Sequence, residues 1–166
     1  MTDRRVHPGN GSFVLAGYTP NGPERSVAGT PARLMQDAWL LPAPAAPRRD
    51  RQLLTGNAVS VIEQRQDQAF VRSEKDGYCG WIPAHSLGPD FQPTDRVIVR
   101  TTHVYPAPSM KEPASATLHF GAEVLVRGVS DGWAELGSGG FVPASHVSAA
   151  PKCSVADAGS FMLGAG

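Results

Sequence analysis

The chain says the same thing twice, and this limits its fold more than any single residue does. Gly80-Trp81-Ile82-Pro83-Ala84-His85-Ser86-Leu87 returns as Gly140-Phe141-Val142-Pro143-Ala144-Ser145-His146-Val147. Upstream, Leu41-Pro42-Ala43-Pro44 is matched by Tyr105-Pro106-Ala107-Pro108. Between them, Leu54-Thr55-Gly56-Asn57-Ala58-Val59-Ser60-Val61 is matched by His119-Phe120-Gly121-Ala122-Glu123-Val124-Leu125-Val126. Three blocks in one order predict a small domain built twice. We place the copies at residues 31–88 and 94–148, with an extended N-terminal arm over 1–30 and a linker helix over 151–166.

Within each copy the periodicity is that of short strands. Val59 and Val61 alternate with Ser60, Ala69-Phe70-Val71 forms a second strand, and Asp76-Gly77 is a tight-turn signal before a strand starting at Tyr78. Ala38-Trp39-Leu40-Leu41 and Val97-Ile98-Val99 read as further strands, and Arg48-Arg49-Asp50-Arg51-Gln52 as a solvated loop. Ala84-His85-Ser86-Leu87 is short enough for one helical turn. Five short strands and one turn in a copy predict an all-β fold of two tandem closed or partly closed barrels. The glycine before each closing aromatic fits a sharp strand bend. A domain of about 60 residues buries only about 60% of its unfolded surface, so the copies are expected to dock on each other or on something else.

The arm holds Pro8, Gly9, Gly11, Gly17, Pro20, Gly22, Pro23 and Gly29, which exclude a long helix or strand there. It is expected to pack across a neighbouring surface. After Pro151, Ser154 and Asp157 resemble a capping pair, and Val155, Ala158, Phe161 and Met162 fall near helical spacing. Such a terminal helix predicts further protein for its apolar face.

The 15 basic residues balance the 15 acidic ones, which argues against a nucleic-acid partner and against an anionic membrane surface. The N-terminus lacks the apolar run of a secretory signal, and no stretch reaches transmembrane length, so a cytoplasmic location is expected. Cys79 and Cys153 lie far apart, in keeping with a reducing compartment. Cys79 falls in a strand with no basic neighbour in sequence to lower its pKa and reads as an inert thiol; Cys153 reads as a linker thiol without a role. The five histidines are scattered, and His85 and His146 fall one place apart on alignment, so no metal site or other cofactor is expected.

The blocks Gly80-Trp81-Ile82-Pro83-Ala84 and Gly140-Phe141-Val142-Pro143-Ala144 resemble bacterial SH3-like domains. Together with Met1-Thr2-Asp3-Arg4-Arg5, Asp50-Arg51-Gln52-Leu53-Leu54-Thr55-Gly56 and Asp76-Gly77-Tyr78-Cys79, they resemble the N-terminal half of NlpC-type cysteine peptidases. Phe161-Met162-Leu163-Gly164-Ala165-Gly166 is similar to the segment before that family's catalytic cysteine. The resemblance implies tandem SH3-like domains docked on a papain-like catalytic domain of the same protein. It also implies cleavage of γ-D-glutamyl–diamino-acid bonds in cell-wall peptides with a free N-terminal L-alanine. The catalytic Asp-Cys-Ser-Gly motif has no match in this chain, so no catalytic residue is assigned and the chain is expected not to hydrolyse by itself.

The same resemblance makes Tyr78 a residue that closes the pocket for the substrate's N-terminal residue. On the residues alone it reads equally as an aromatic covering the core. The substrate ammonium needs an acidic partner, and Asp76, or else Glu74, is the nearest; each also reads as a solvated turn residue. Trp39, Trp81, Trp133 and Phe141 resemble the aromatic ledge of peptide-binding SH3 domains, but the matched Trp81 and Phe141 read as core, and no acidic loop is evident beside them. Two further readings therefore stay open: a stand-alone module for cell-wall peptide or proline-rich segments, and a scaffold without a ligand.

Overall fold

The structure, a computed structural model, describes residues 3–149; the expected helix of residues 151–166 and Cys153 lie outside them. Among the described residues the fold is all-β, with helical geometry confined to two 3-10 turns, Ala84–Ser86 and Ala144–His146.

The arm carries two short parallel strands, β1 (Phe13–Leu15) and β2 (Arg25–Val27). Its hub is Glu24, buried at 8% exposure. One carboxylate oxygen accepts the Gly11 N–H at 2.9 Å, and the other accepts the Asn21 N–H at 2.9 Å and faces His7 Nε2 at 2.7 Å. Burial alone would raise the Glu24 pKa, but these partners together hold it below the ordinary carboxylate value. The arm crosses the first barrel, where Phe13, Leu15 and Val27 pack on Ile62, Phe70, Cys79 and Trp81.

The first barrel is built on a five-stranded sheet in the order β8 (Cys79–Pro83), β7 (Gln68–Ser73), β6 (Ala58–Gln64), β3 (Thr30–Leu34), β9 (Leu87–Pro89). A two-stranded ribbon, β4 (Ala38–Leu40) with β5 (Arg51–Leu53), packs beside it. Leu34, Leu40, Leu53, Val59, Val71 and Ile82 form its core. The second barrel distributes the same parts over three small sheets: β10 (Asp95–Val97) with β13 (Glu123–Val124) and β17 (Val147–Ala149), β11 (Thr101–Val104) with β12 (Ala116–His119), and β14 (Val126–Ser130) with β15 (Trp133–Leu136) and β16 (Phe141–Pro143). Val97, Leu118, Ala134 and Val142 lie in its separate core. No sheet closes on itself, so both barrels are partly open.

Three local readings are corrected. Arg51 and Gln52 belong to strand β5 rather than to a loop, and the adjoining Asp50 is partly buried and paired with Arg4. The strand opening the second barrel runs Asp95–Val97, leaving Ile98 exposed at 48%, because Val97 already fills the inward position opposite Val147. The strand after the Asp76-Gly77 turn begins at Cys79.

The repeated words meet in space. In the first barrel Leu41 and Trp81 exchange both backbone hydrogen bonds at 2.9 Å; in the second Tyr105 and Phe141 do so at 2.8 Å. Each two-word pair is thus a single β-bridge closing one side of a barrel. The preceding glycines permit it: a Cβ on Gly80 would lie 2.9 Å from Leu41 O, and one on Gly140 would lie 2.6 Å from Val104 Cγ1 and 3.0 Å from Tyr105 O. The third word turns back on the opening strand. Gly56 N–H donates to Leu34 O at 2.7 Å and Gly121 N–H to Val97 O at 2.9 Å, both glycines having positive φ. These turns also join the barrels. Glu123 N–H donates to Thr55 O at 3.1 Å, and a Cβ on Gly56 would fall 1.8 Å from Glu123 O. Arg33 closes the seam, donating to Gly56 O at 2.7 Å and reaching Glu123 Oε2 at 3.3 Å and Asp90 Oδ1 at 3.1 Å.

Candidate functional site

The Asp76-Gly77-Tyr78 turn links β7 to β8. Gly77 adopts φ 76°, its N–H donates to Ser73 O at 2.9 Å, and Ser73 N–H donates to Tyr78 O at 2.8 Å. Asp76 Oδ1 accepts the Tyr78 N–H at 3.2 Å and so sets the tyrosine's backbone. One side of Tyr78 packs on the first core. Its ring also carries two guanidinium groups, Arg5 at 5.0 Å and Arg51 at 5.2 Å from the centroid. Tyr78 therefore both covers the core and presents a half-buried surface.

Arg51 Nη2 lies 2.6 Å from Asp76 Oδ2, yet that oxygen is buried and accepts no aligned hydrogen bond. The closeness and the missing bond describe one contact: an ion pair whose N–H vectors do not point along the lone pairs. Glu74 turns elsewhere, accepting from Ser60 Oγ at 2.7 Å and pairing with Arg72 at 3.3 Å. Arg5 is paired with Asp3 at 2.7 Å, and this hydrogen-bonded guanidinium holds the Asp3 carboxyl down at about 2. The structure thus brings the two sequence candidates together and adds Arg5 and Arg51. Spacing could not reveal these two, because the arm and β5 reach Tyr78 only through the tertiary fold.

Cys79, next to Tyr78, is 1% exposed, with Sγ 3.6 Å from Gly77 O. Burial pushes its thiol up to about 12 against the pull of Arg72 and Arg4, so the thiolate is disfavoured. Among the described residues no three of His, Cys, Asp and Glu group as a metal site. His146 Nδ1 lies 2.8 Å from Thr102 Oγ1, whereas His85 is exposed.

On the second barrel no described segment covers the surface corresponding to the one under the arm. Trp133 and Phe141 are half-buried there, and Tyr105 meets Trp133 edge-on at 5.7 Å and 88°. Trp133 and Phe141 border a groove of about 390 Å³ that also takes in Asp131 and Glu135. The acidic group beside the aromatics, which the sequence did not reveal, is thereby present. Asp131-Gly132, a two-residue turn with φ of 50° and 79°, was its readable signal.

Fold and site define an all-β protein of SH3-like modules. Residues 40–87 match the family described as the bacterial dipeptidyl-peptidase SH3 domain. That segment is less than a third of the chain and contains the Asp76–Tyr78 turn. An NlpC/P60 family protein from Bacillus cereus ATCC 10987 is similar in structure, with a TM-score of 0.60 at 16% identity over 73% of this chain and 56% of that one. NlpC2 and NlpC1 from Trichomonas vaginalis match with TM-scores of 0.33 each, at 17% and 15% identity, over 73% and 82% of this chain and 48% of each of theirs. The chain spans about half the length of these structures. No curated protein sequence matches it. The family match thus gives an SH3 domain over residues 40–87, and the Bacillus protein shares the fold.

Proposed function

We propose that this chain is the substrate-restricting part of a muropeptide hydrolase that cleaves γ-D-glutamyl–diamino-acid bonds. It would dock on a papain-like catalytic domain of the same protein and wall off one end of its cleft. The observation that carries the reading is the Asp76–Tyr78 turn, rigid in its backbone and lying inside the segment that matches the dipeptidyl-peptidase SH3 domain. Tyr78 supplies a flat wall against the N-terminal residue of a short peptide. Asp76 is the carboxylate nearest Tyr78, and a free L-alanine ammonium would take its Oδ2 by displacing the Arg51 guanidinium that now faces it. Such a wall admits peptides with a free N-terminus and rejects intact, substituted wall. Action on recycled peptides in the cytoplasm accompanies this reading; among the described residues no helix is long and apolar enough to cross a membrane.

The test has two steps. The gene read for about 120 codons past Gly166, a typical small-domain length, must encode a cysteine-serine-glycine motif and a later histidine. In the complete enzyme, Tyr78→Ala is expected to lower kcat/KM for free L-alanyl peptides and to raise it for N-acetylated ones, which the wall no longer rejects. Selectivity equal to that of the unaltered enzyme would sink the reading and leave a scaffold.

A further inference from the structure

We propose that the cavity at the seam of the two barrels binds a small uncharged aromatic molecule, seated where the first barrel carries its own tyrosine. The cavity holds about 400 Å³ and ends on the second core, at Val104, Leu118 and Leu136. Its opposite wall is the first barrel's Met35 and the linker residue Phe91. Pockets for small molecules favour such seams between domains and are mostly apolar. An apolar cavity of about 150 Å³ already holds benzene. The first barrel shows what belongs in this place. The bridges Leu41–Trp81 and Tyr105–Phe141 align the two barrels residue by residue. Leu40 pairs with Arg51 as Val104 pairs with Ala116, so Ala116 stands for Arg51. Phe70 pairs with Trp81 as Glu135 pairs with Phe141, so Gly137 and Gly139 stand for Arg72 and Cys79, and the stretch Ser73–Tyr78 shrinks to Ser138. In the first barrel Tyr78 packs on the core, with the Arg51 guanidinium 5.2 Å from its ring centroid. In the second, Ala116 and Ser138 line the mouth of the cavity instead. By register, the cavity occupies the place that an aromatic ring fills in the sister barrel.

The lining decides the ligand's charge and shape, because its polar groups are spent on neighbours within the protein. Gly137 N–H donates to Leu125 O at 2.7 Å, Gly139 N–H to Leu136 O at 3.0 Å, and Ser115 Oγ to Val104 O at 3.1 Å. Glu123, at the rim, is paired with Arg33 at 3.3 Å. A peptide backbone entering here would leave its amides without partners, and an ion would lose its water without gaining a counter-charge. A flat neutral ring meets neither cost. Met35 lies across Gly88, where a Cβ would collide with its thioether, and this flexible side chain can close on a ring. The proposal does not rest on the substrate role given to Tyr78.

The probe is p-cresol, the tyrosine side chain as a free molecule. Its charged twin is 4-methylbenzoate, and its backbone-bearing twin is N-acetyltyrosinamide. Binding to the 166-residue chain is read by NMR from labelled methionine methyl groups. Met35 lies at the cavity, Met110 is 65% exposed and outside its lining, and Met35→Leu assigns the first signal. A saturable shift of Met35 is expected, with a Kd of about 1 mM, the strength that about eight non-hydrogen atoms give at modest efficiency. Both twins should bind about tenfold more weakly or worse, and Met110 should not move. Ala116→Phe, on the strand face shared with Leu118, should abolish the shift. Ala116 is exposed, so that variant should keep its fold, and unchanged amide spectra outside the seam check this. Ser138→Phe, at the tip of an exposed turn, is a second block. No shift of Met35, equal shifts at Met110, either twin binding as tightly as p-cresol, or binding undiminished by both blocks would each overturn the proposal.

Discussion

The β-bridge between the repeated words makes Gly140 a position where one methyl group should be costly. Its φ of 85° disfavours any L side chain, and the added Cβ would lie 2.6 Å from Val104 Cγ1 and 3.0 Å from Tyr105 O. Gly139 is the matched control, with φ 95° and nothing within 4 Å of its Cβ. Alanine at Gly139 thus meets only the left-handed backbone strain, about 1 kcal/mol. Alanine at Gly140 meets that strain plus overpacking against a side chain and a hydrogen-bonded carbonyl, typically about 1–3 kcal/mol more. We expect Gly140→Ala to lose about 3 kcal/mol and Gly139→Ala about 1 kcal/mol. With a urea m-value of about 2 kcal/mol/M, these losses move the midpoint by about 1.5 M and 0.5 M. Unfolding followed by tryptophan fluorescence and by far-ultraviolet circular dichroism measures both. Equal midpoints for the two variants would refute the argument that close approach, rather than turn geometry, requires the glycine.

Two further outcomes follow from the titratable groups. The folded pKa of Glu24 lies below its ordinary value of 4.5, so its contribution to arm docking is complete above 4.5 and is lost as pH falls through the folded value. Amide exchange at Gly11 and Asn21 should therefore quicken in acid before the barrel amides do, Glu24→Gln should show the same loosening at neutral pH, and exchange in step with the barrels would contradict the hub. For Cys79, raised from 9.0 to about 12 by burial, native protein carrying Cys153→Ser should resist iodoacetamide at pH 8 and react once unfolded in urea. Native labelling at the unfolded rate would show the thiol to be open.

Much of the first barrel was readable because alternation survives where one strand face is buried: Val59 and Val71 point inward as the pattern implied. Strand β3 was harder to see, since Pro31 breaks its pattern and its partners Ala58–Val61 and Leu87–Pro89 lie far along the chain. Tyr78 and Asp76 were visible as a turn, but not Arg5 and Arg51, which come from an arm and a ribbon that long-range packing brings together. Phe141 shows the limit most plainly. Its word matches that of Trp81, yet Trp81 is buried and Phe141 only half-buried, because what covers a face is decided by another segment and not by the strand that carries it.

The repeat, read from residues alone, dictated two similar all-β units and the glycines at their turns, because backbone bridges and positive φ admit few residue types. The tertiary structure decided how the words are used. It paired Leu41 with Trp81 and Tyr105 with Phe141, set Gly56 against Glu123 at the seam, and laid the arm over one outer face, while no described segment lies over the other. Such choices depend on contacts between distant segments, whose energies are set by shape and charge in three dimensions rather than by local pattern.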